Sequence, residues 1–295
     1  MSDASELLVV GLGYTGTAIA VRAARAGWAV TATTRDPAAA TPLPGVRVVD
    51  FADPAPFRAA TRLVVTAPPA PLGDPVWAMH RAALTAAPLA WVGYISTTGV
   101  YGDRKGEWVE ENSHPTPGQD RSRARLSAEQ QWAELADRAA VDLFRTGGIY
   151  GPGRSALDDV RAGTARRVVK PGHAFSRIHR DDIARALLAA AAQQLPPGVR
   201  VLHLVDDEPS PQADVVLEAC RLLGVAPPPE TGFAEALAAM TPMGRSFWAE
   251  SRRVANRRTK AALGLDWAYP TYREGLRAIL AEEGVAKEGV QRPAQ

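Results

Sequence analysis

The sequence predicts an α/β fold, a doubly wound parallel sheet carrying a small C-terminal lobe. Three observations carry this expectation. Short all-apolar runs recur along the chain, helical patterns lie between most of them, and the first run ends in a glycine-rich turn. Strands buried on both faces read as continuous apolar runs, and strand–helix alternation means βαβ units with right-handed crossovers.

The elements follow in order. Leu7–Val10 is the first run, closed by Gly11. Tyr14–Ala26 is helix-permissive, with Ile19 and Val21 among alanines, and Gly27 stops it. Trp28–Thr34, Val46–Val49, Leu63–Thr66, Leu89–Ser96 and Val141–Thr146 read as further strands, with helices at Pro75–Ala86 and Ser122–Arg138. Past Gly151 the glycines break the rhythm, and a helix at Arg180–Ala192 and a strand at Arg200–Val205 restore it. Pro209–Gly284 reads as mostly helical, with a rigid turn at Pro227, Pro228 and Pro229. About seven strands are expected in the sheet. The expected division is residues 1–150 with about 179–205 for the sheet domain, 151–178 and 206–285 for the small lobe, and 286–295 for a polar tail.

Composition excludes several classes. Of 295 residues, 34 are Lys or Arg and 32 are Asp or Glu, a net charge of +2. So small an excess gives no reason to expect a nucleic-acid or membrane partner. The single cysteine, Cys220, cannot form an intramolecular disulfide or a cysteine-based zinc cluster. The first residues lack the basic region of a targeting signal, and no apolar run approaches the roughly 18 residues of a membrane span. A cytoplasmic protein with a small-molecule partner is the expectation.

Gly11-Leu12-Gly13-Tyr14-Thr15-Gly16 is a G-x-G-x-x-G turn. It follows a predicted strand, opens a predicted helix and leads to a second strand, which is the context of a Rossmann dinucleotide site. Gly11 permits the turn, Gly13 lets a diphosphate approach the backbone, and Gly16 allows close helix–strand packing. The amides of Tyr14 and Thr15 then face the phosphates with the helix dipole behind them. The second strand ends Thr33-Thr34-Arg35-Asp36. Thr34 stands where an NAD site has an acid for the ribose 2′-hydroxyl, and Arg35 suits a 2′-phosphate. The residues therefore favour NADP over NAD. Asp50 is a candidate for the adenine side or for a turn cap, and Thr66-Ala67-Pro68 lets a cofactor pass close to the end of the fourth strand.

Four later segments carry a resemblance. They are Ser96-Thr97-Thr98-Gly99-Val100-Tyr101-Gly102, Arg145-Thr146-Gly147-Gly148-Ile149-Tyr150-Gly151-Pro152-Gly153, Ile178-His179-Arg180-Asp181-Asp182-Ile183-Ala184 and His203-Leu204-Val205-Asp206-Asp207. With the glycine turn, they resemble the extended short-chain dehydrogenase/reductase superfamily in its NAD-dependent epimerase/dehydratase branch. The resemblance implies a Rossmann domain under a substrate lobe, nicotinamide hydride chemistry and a tyrosine–lysine pair one helical turn apart after the fifth strand. It also allows a homodimer through that helix.

Here the chain departs from the pattern. The helix reads Arg121-Ser122-Arg123-Ala124-Arg125, so Arg121 stands at the tyrosine position and Arg125 at the lysine position. Arginine stays protonated and is no acid or base at neutral pH. Arg125 can still hold ribose hydroxyls. Thr97 matches the hydroxyl that hydrogen-bonds a reacting carbonyl, or is an ordinary sheet threonine. Tyr101 with Lys105 repeats the tyrosine–lysine spacing in what should be a loop, so Tyr101 is a displaced proton donor, a cleft residue or a packing residue. Arg154, His173 and Arg177 fall where the resemblance places substrate contacts. Arg252, Arg253, Arg257 and Arg258 read as a solvated basic face, or else as a contact for a phosphate, a carboxylate or another subunit, and Asp181 or Asp182 as a helix cap. No metal-ligand spacing links the five histidines. The sequence thus supports an NADP-dependent oxidoreductase or epimerase-like enzyme acting on a small polar carbonyl or hydroxyl compound with a non-standard proton donor. A non-catalytic NADP(H) sensor or partner protein is the alternative.

Overall fold

A computed structural model describes residues 6–70 and 73–290. Seven parallel strands form the central sheet: β1 (Glu6–Val10), β2 (Ala29–Thr34), β3 (Val46–Asp50), β4 (Arg62–Val65), β5 (Trp91–Thr97), β6 (Ala140–Thr146) and β7 (Gly198–Leu204). Their order is β3-β2-β1-β4-β5-β6-β7. The order reverses between β1 and β4, and open α/β sheets bind ligands beyond the strand ends at such a reversal.

The helices are α1 (Tyr14–Arg25), α2 (Ala55–Ala59), α3 (Pro75–Ala86), α4 (Asp120–Ala133), α5 (Ala156–Arg161), α6 (Arg180–Ala192), α7 (Gln212–Leu223), α8 (Phe233–Ala239), α9 (Pro242–Trp248), α10 (Arg257–Leu263) and α11 (Tyr272–Val290). Alternate residues of β1 divide the core. Leu7 and Val9 pack with Ile19 of α1 and Ile183 of α6, whereas Leu8 and Val10 pack with Trp77 of α3 and Trp132 of α4. Asp74 starts α3 by accepting from the amides of Val76 and Trp77, and its other oxygen accepts from Trp132 Nε1 at 3.1 Å. His179 caps α6, its Nδ1 accepting from the Asp181 amide, which corrects the expectation of an aspartate cap. Asp182 is buried and accepts from the amides of Ala268 and Tyr269.

The small lobe differs from the expected division. It contains parallel strand pairs that the helical pattern hid: Gly148–Tyr150 with Arg177–His179, Arg167–Val169 with Glu230–Gly232, and Trp108–Val109 with Arg253–Val254. The Trp108–Val109 strand comes from within residues 1–150, and Leu263 and Trp267 return to the main core beside Leu7 and Val9. Each pair is only two or three residues long, too short for a periodicity to register. The helix after β5 runs from Asp120, two residues earlier than expected, and gives way to turns after Ala133. Helix α11 continues to Val290 through part of the expected tail, while residues 291–295 and the N-terminal residues 1–5 lie outside the described residues. Among the described residues no helix is long and apolar enough to cross a membrane.

Candidate functional site

The glycine turn is built as its spacing demands. Gly11 has φ +99°, a left-handed conformation open to glycine at little cost. A methyl group on Gly16 would lie 1.9 Å from the Gly11 carbonyl oxygen, so only glycine lets α1 pack this close. Gly13 is different in kind: a methyl group there would meet no protein atom within 4 Å. Its glycine is unexplained by internal packing and leaves the cradle that a diphosphate would fill. Intrahelical bonding begins with the Thr17 amide on the Gly13 carbonyl. The amides of Tyr14, Thr15 and Gly16 therefore precede the first helical bond and point out of the helix end. Thr66 Oγ1 lies 2.9 Å from the Gly11 carbonyl and 3.1 Å from that of Val10, which ties the turn to β4.

Beside this turn, two guanidiniums approach the Tyr14 ring, Arg180 at 4.8 Å and Arg154 at 5.6 Å. Its hydroxyl donates to the Pro152 carbonyl. Burial pushes the Tyr14 phenol up, against the pull of Arg180 and Arg154. Sequence reasoning missed Arg180 here because it reads as part of a helix start. At the end of β2, Thr34 is half-buried and Arg35 exposed, while Asp36 is occupied by the Ala39 amide in a local turn. Asp50 accepts from the Ala52 amide at 2.9 Å and is exposed, the geometry of a turn cap. Ala67 and Pro68 follow Thr66 beyond β4.

A cavity of about 660 Å³ runs from Thr15 and Thr66 at the turn, past Thr97, Ser122 and Thr146, to Trp248 and Arg252 in the lobe. Arg121 and Arg125 both line it, so the two departures from the resemblance open onto one space. Arg125 Nη1 donates to the Ile95 carbonyl at 2.7 Å and approaches the Tyr94 hydroxyl at 3.3 Å. The Arg121 guanidinium lies 4.2 Å above the Phe247 ring. Thr97 accepts from the Gly99 amide, which leaves its own hydroxyl proton to donate. Arg177 is buried and donates to the Phe175 and Ser210 carbonyls and to Gln212 Oε1, so it stiffens the floor of the cleft.

Two expected site residues lie elsewhere. Tyr101 is fully buried, its hydroxyl 2.9 Å from Arg145 Nη1 and 2.5 Å from His203 Nε2. It ends a 3-10 turn, and Gly102 and Lys105 that follow have positive φ, so no helical face joins Tyr101 to Lys105. The polar groups of β6 and β7 draw the phenol inward, away from the cleft. His173 is buried behind the wall, its ring 5.1 Å from Trp248 and 4.5 Å from Phe175, with Nε2 donating to the Glu250 carbonyl. It supports Trp248 and does not face a substrate. Glu250 and Arg252 do line the cleft; the sequence offered Arg252 as a phosphate, carboxylate or subunit contact within a basic run and gave no signal for Glu250. Arg258 of the same basic run pairs at the surface with Glu110.

A second cavity, of about 700 Å³, is lined by Asp207, Asn256, Lys260 and Asp266. Asn256 donates to Asp207, and Lys260 lies 3.0 Å from Asp266 and 3.2 Å from Asp207, while burial pushes the Asp206 carboxyl in the same wall well up. This cavity lies away from the glycine turn, so the chemistry belongs to the first cleft. No group of metal-binding side chains occurs among the described residues.

No family model matches the chain. A conserved protein of unknown function from Silicibacter pomeroyi is 40% identical, with a TM-score of 0.86, over 95% of this chain and 99% of that one. A Methylobacillus flagellatus protein assigned to the NAD-dependent epimerase/dehydratases is 25% identical, with a TM-score of 0.69, over 95% and 99% of the two chains. The chain is similar in sequence and fold to this protein of NAD-dependent epimerase/dehydratase type. The chain is also 32% identical over 175 residues to the 3-diazoavenalumate denitrifying reductase of a Streptomyces species, a match that spans 55% of this chain and 54% of that reductase.

Proposed function

We propose that this protein is an NADP-dependent oxidoreductase, or an enzyme of epimerase type, acting on a small polar carbonyl or hydroxyl compound. One observation carries the reading. The cavity runs from Thr15 and Thr66 at the glycine turn to Thr97, Arg121 and Arg125. A bound nicotinamide dinucleotide supplies the hydride chemistry. The chain's own residues do the rest. The amides of Tyr14, Thr15 and Gly16 hold the diphosphate, and Arg180 and Arg154 add positive charge beside it. Arg35 takes the 2′-phosphate, and Thr34 in place of an acid avoids repelling it. Arg125, steadied by Ile95 and Tyr94, presents its remaining donors to ribose hydroxyls.

Thr97 donates its hydroxyl proton to the reacting oxygen. Arg121 stabilises negative charge that develops there and transfers no proton, since a guanidinium remains protonated at neutral pH. The proton for that oxygen then comes from water or from the substrate. A relative named as a denitrifying reductase agrees with net reduction in such a cleft. The sensor reading has its own support, because Arg121 and Arg125 stand where the resemblance puts an acid and its lysine.

Titrating the protein with NADPH and NADH, then following NADPH oxidation over a panel of aldehydes, ketones, imines and sugar nucleotides, tests both. Binding with turnover supports the enzyme. Binding with no turnover across the panel supports the sensor. Neither dinucleotide binding at millimolar concentration overturns the site itself.

A further inference from the structure

We propose that Glu250 selects the substrate: its carboxylate accepts a hydrogen bond from an uncharged O–H or N–H group that the substrate carries away from its reacting carbonyl. This rests on the reading of the cleft above and adds a substrate class to it. Glu250 is the one carboxylate among the described residues that line the cavity. Its side chain is 8% exposed, and its two oxygens differ. Oε2 lies 2.9 Å from Arg252 Nη1. Oε1 is buried and has no hydrogen-bond partner among the described residues. Gly118 keeps side chains off that oxygen, since a methyl group there would stand 3.0 Å from it. A buried acceptor without a donor is costly, and one kept in a cleft wall calls for a partner from outside the chain.

Ser176 repeats the pattern. It also lines the cavity, and its buried Oγ has no partner among the described residues. The two groups belong to one patch. Ser176 follows Phe175, Glu250 lies two residues past Trp248, and the Phe175 and Trp248 rings meet edge-on at 5.1 Å. His173 Nε2 donates to the Glu250 carbonyl, which fixes the backbone that carries the carboxylate before a ligand arrives.

Charge decides the kind of donor. Arg252 matches the charge of Glu250, and Arg121 stands within reach of the same carboxylate. A cation is repelled by the two guanidiniums, and an anion gains nothing from an oxygen that can only accept. An uncharged donor meets neither obstacle and makes a charge-assisted hydrogen bond shielded from water. Trp248, in the same wall, adds an apolar surface for the body of the molecule. Such a site rejects the analogue that lacks the donor, because the buried oxygen is then left unpaired.

The test uses the NADP⁺-saturated protein and matched aryl ketones, the meta and para isomers of hydroxyacetophenone and of methylacetophenone, which is of similar size and has no donor. Calorimetry gives each Kd. At least one hydroxy ketone is expected to bind ~10-fold or more tightly than its methyl counterpart. Glu250→Gln, which keeps the size and loses the charge, should cut that ratio to about 3-fold, and Glu250→Ala should abolish it, with the Kd for NADP⁺ changed less than about 2-fold. The ratio is the readout because general damage to the lobe weakens both ketones alike, and the glutamine variant decides the point if the alanine variant melts early. The proposal is overturned if hydroxy and methyl ketones bind equally to the wild type, if the ratio survives in the variants, if acetylbenzoate binds more tightly than the hydroxy ketones, or if no hydroxy ketone binds at millimolar concentration. Failure of NADP⁺ to bind would sink the functional reading alone, because the comparison of the ketones can still be made on the dinucleotide-free protein.

Discussion

Arg145 Nη2 lies 2.7 Å from Glu129 Oε2, with both side chains more than nine-tenths buried, directly behind the part of β5 that lines the cleft. A second contact, Arg145 Nε to Glu129 Oε1, makes the pair bidentate. Ser96 donates to the same Glu129 oxygen, and the Tyr101 hydroxyl lies beside Arg145 Nη1. Burial works against the Arg145 charge, but the hydrogen bond and charge of Glu129 outweigh it and hold the guanidinium above its usual range. Removing either partner leaves a buried charge uncompensated.

Arg145→Met or Glu129→Gln should each lower stability by about 3–5 kcal/mol in urea unfolding. Replacing both, with Glu129→Leu and Arg145→Met, should recover most of that loss. Tyr101→Phe should cost about 1–2 kcal/mol and leave dinucleotide affinity unchanged. A Tyr101→Phe protein of normal stability and lost affinity would return the phenol to the site.

Gly13 and Gly16 separate binding from packing. Gly13→Ala places a methyl group in open space at an ordinary φ of −79°, so stability should stay within about 0.5 kcal/mol while NADP⁺ affinity falls at least ~10-fold. Gly16→Ala forces a methyl group against the Gly11 carbonyl and should lower the melting temperature even without dinucleotide. Unchanged affinity in Gly13→Ala would mean that the cradle is not a phosphate site.

Under the proposed contact of Arg35 with the 2′-phosphate, Arg35→Ala should weaken NADPH by about 10-fold or more and leave NADH nearly unchanged. Tighter binding of NADH than NADPH by the wild type would reverse the cofactor assignment.

His173 carries a pH dependence. Burial, then the charge of Lys170, push its imidazole down to about 4. Between about pH 6.5 and 4 the unfolded chain takes up a proton that the folded one refuses, so stability falls as pH falls through that window. The full effect is of order 3 kcal/mol, and no contribution changes above the unfolded value. His173→Phe keeps the ring packing on Trp248 and should flatten the slope of unfolding free energy against pH in that window. An unchanged slope would assign the dependence to other groups.

Much of the fold was legible because its signals are local. Leu7–Val10, the glycine turn and the helix at Pro75–Ala86 each sit in one short stretch whose period or composition names the element. Tyr101 shows the opposite case. Its letters promised chemistry, yet the side chain was claimed by Arg145 and His203, which lie 44 and 102 residues away. Glu250 and Arg252 are held at the cleft by long-range contacts, among them the pairing of Trp108–Val109 with Arg253–Val254 and the bonds of the Arg104 and Gly106 amides to the Ser251 carbonyl, none of which has a sequence signal.

By itself, then, the sequence determined the strand order's raw material, the glycine turn and the presence of Arg121 and Arg125 one helical turn apart, where the resemblance puts an acid and its lysine. Those are properties of residue type and spacing, set within one or two turns of chain. Only the tertiary structure decided which polar side chains face the cleft and which are consumed inside. That choice depends on partners brought together from distant segments, because a buried polar group must find a hydrogen bond and takes the nearest one the fold provides.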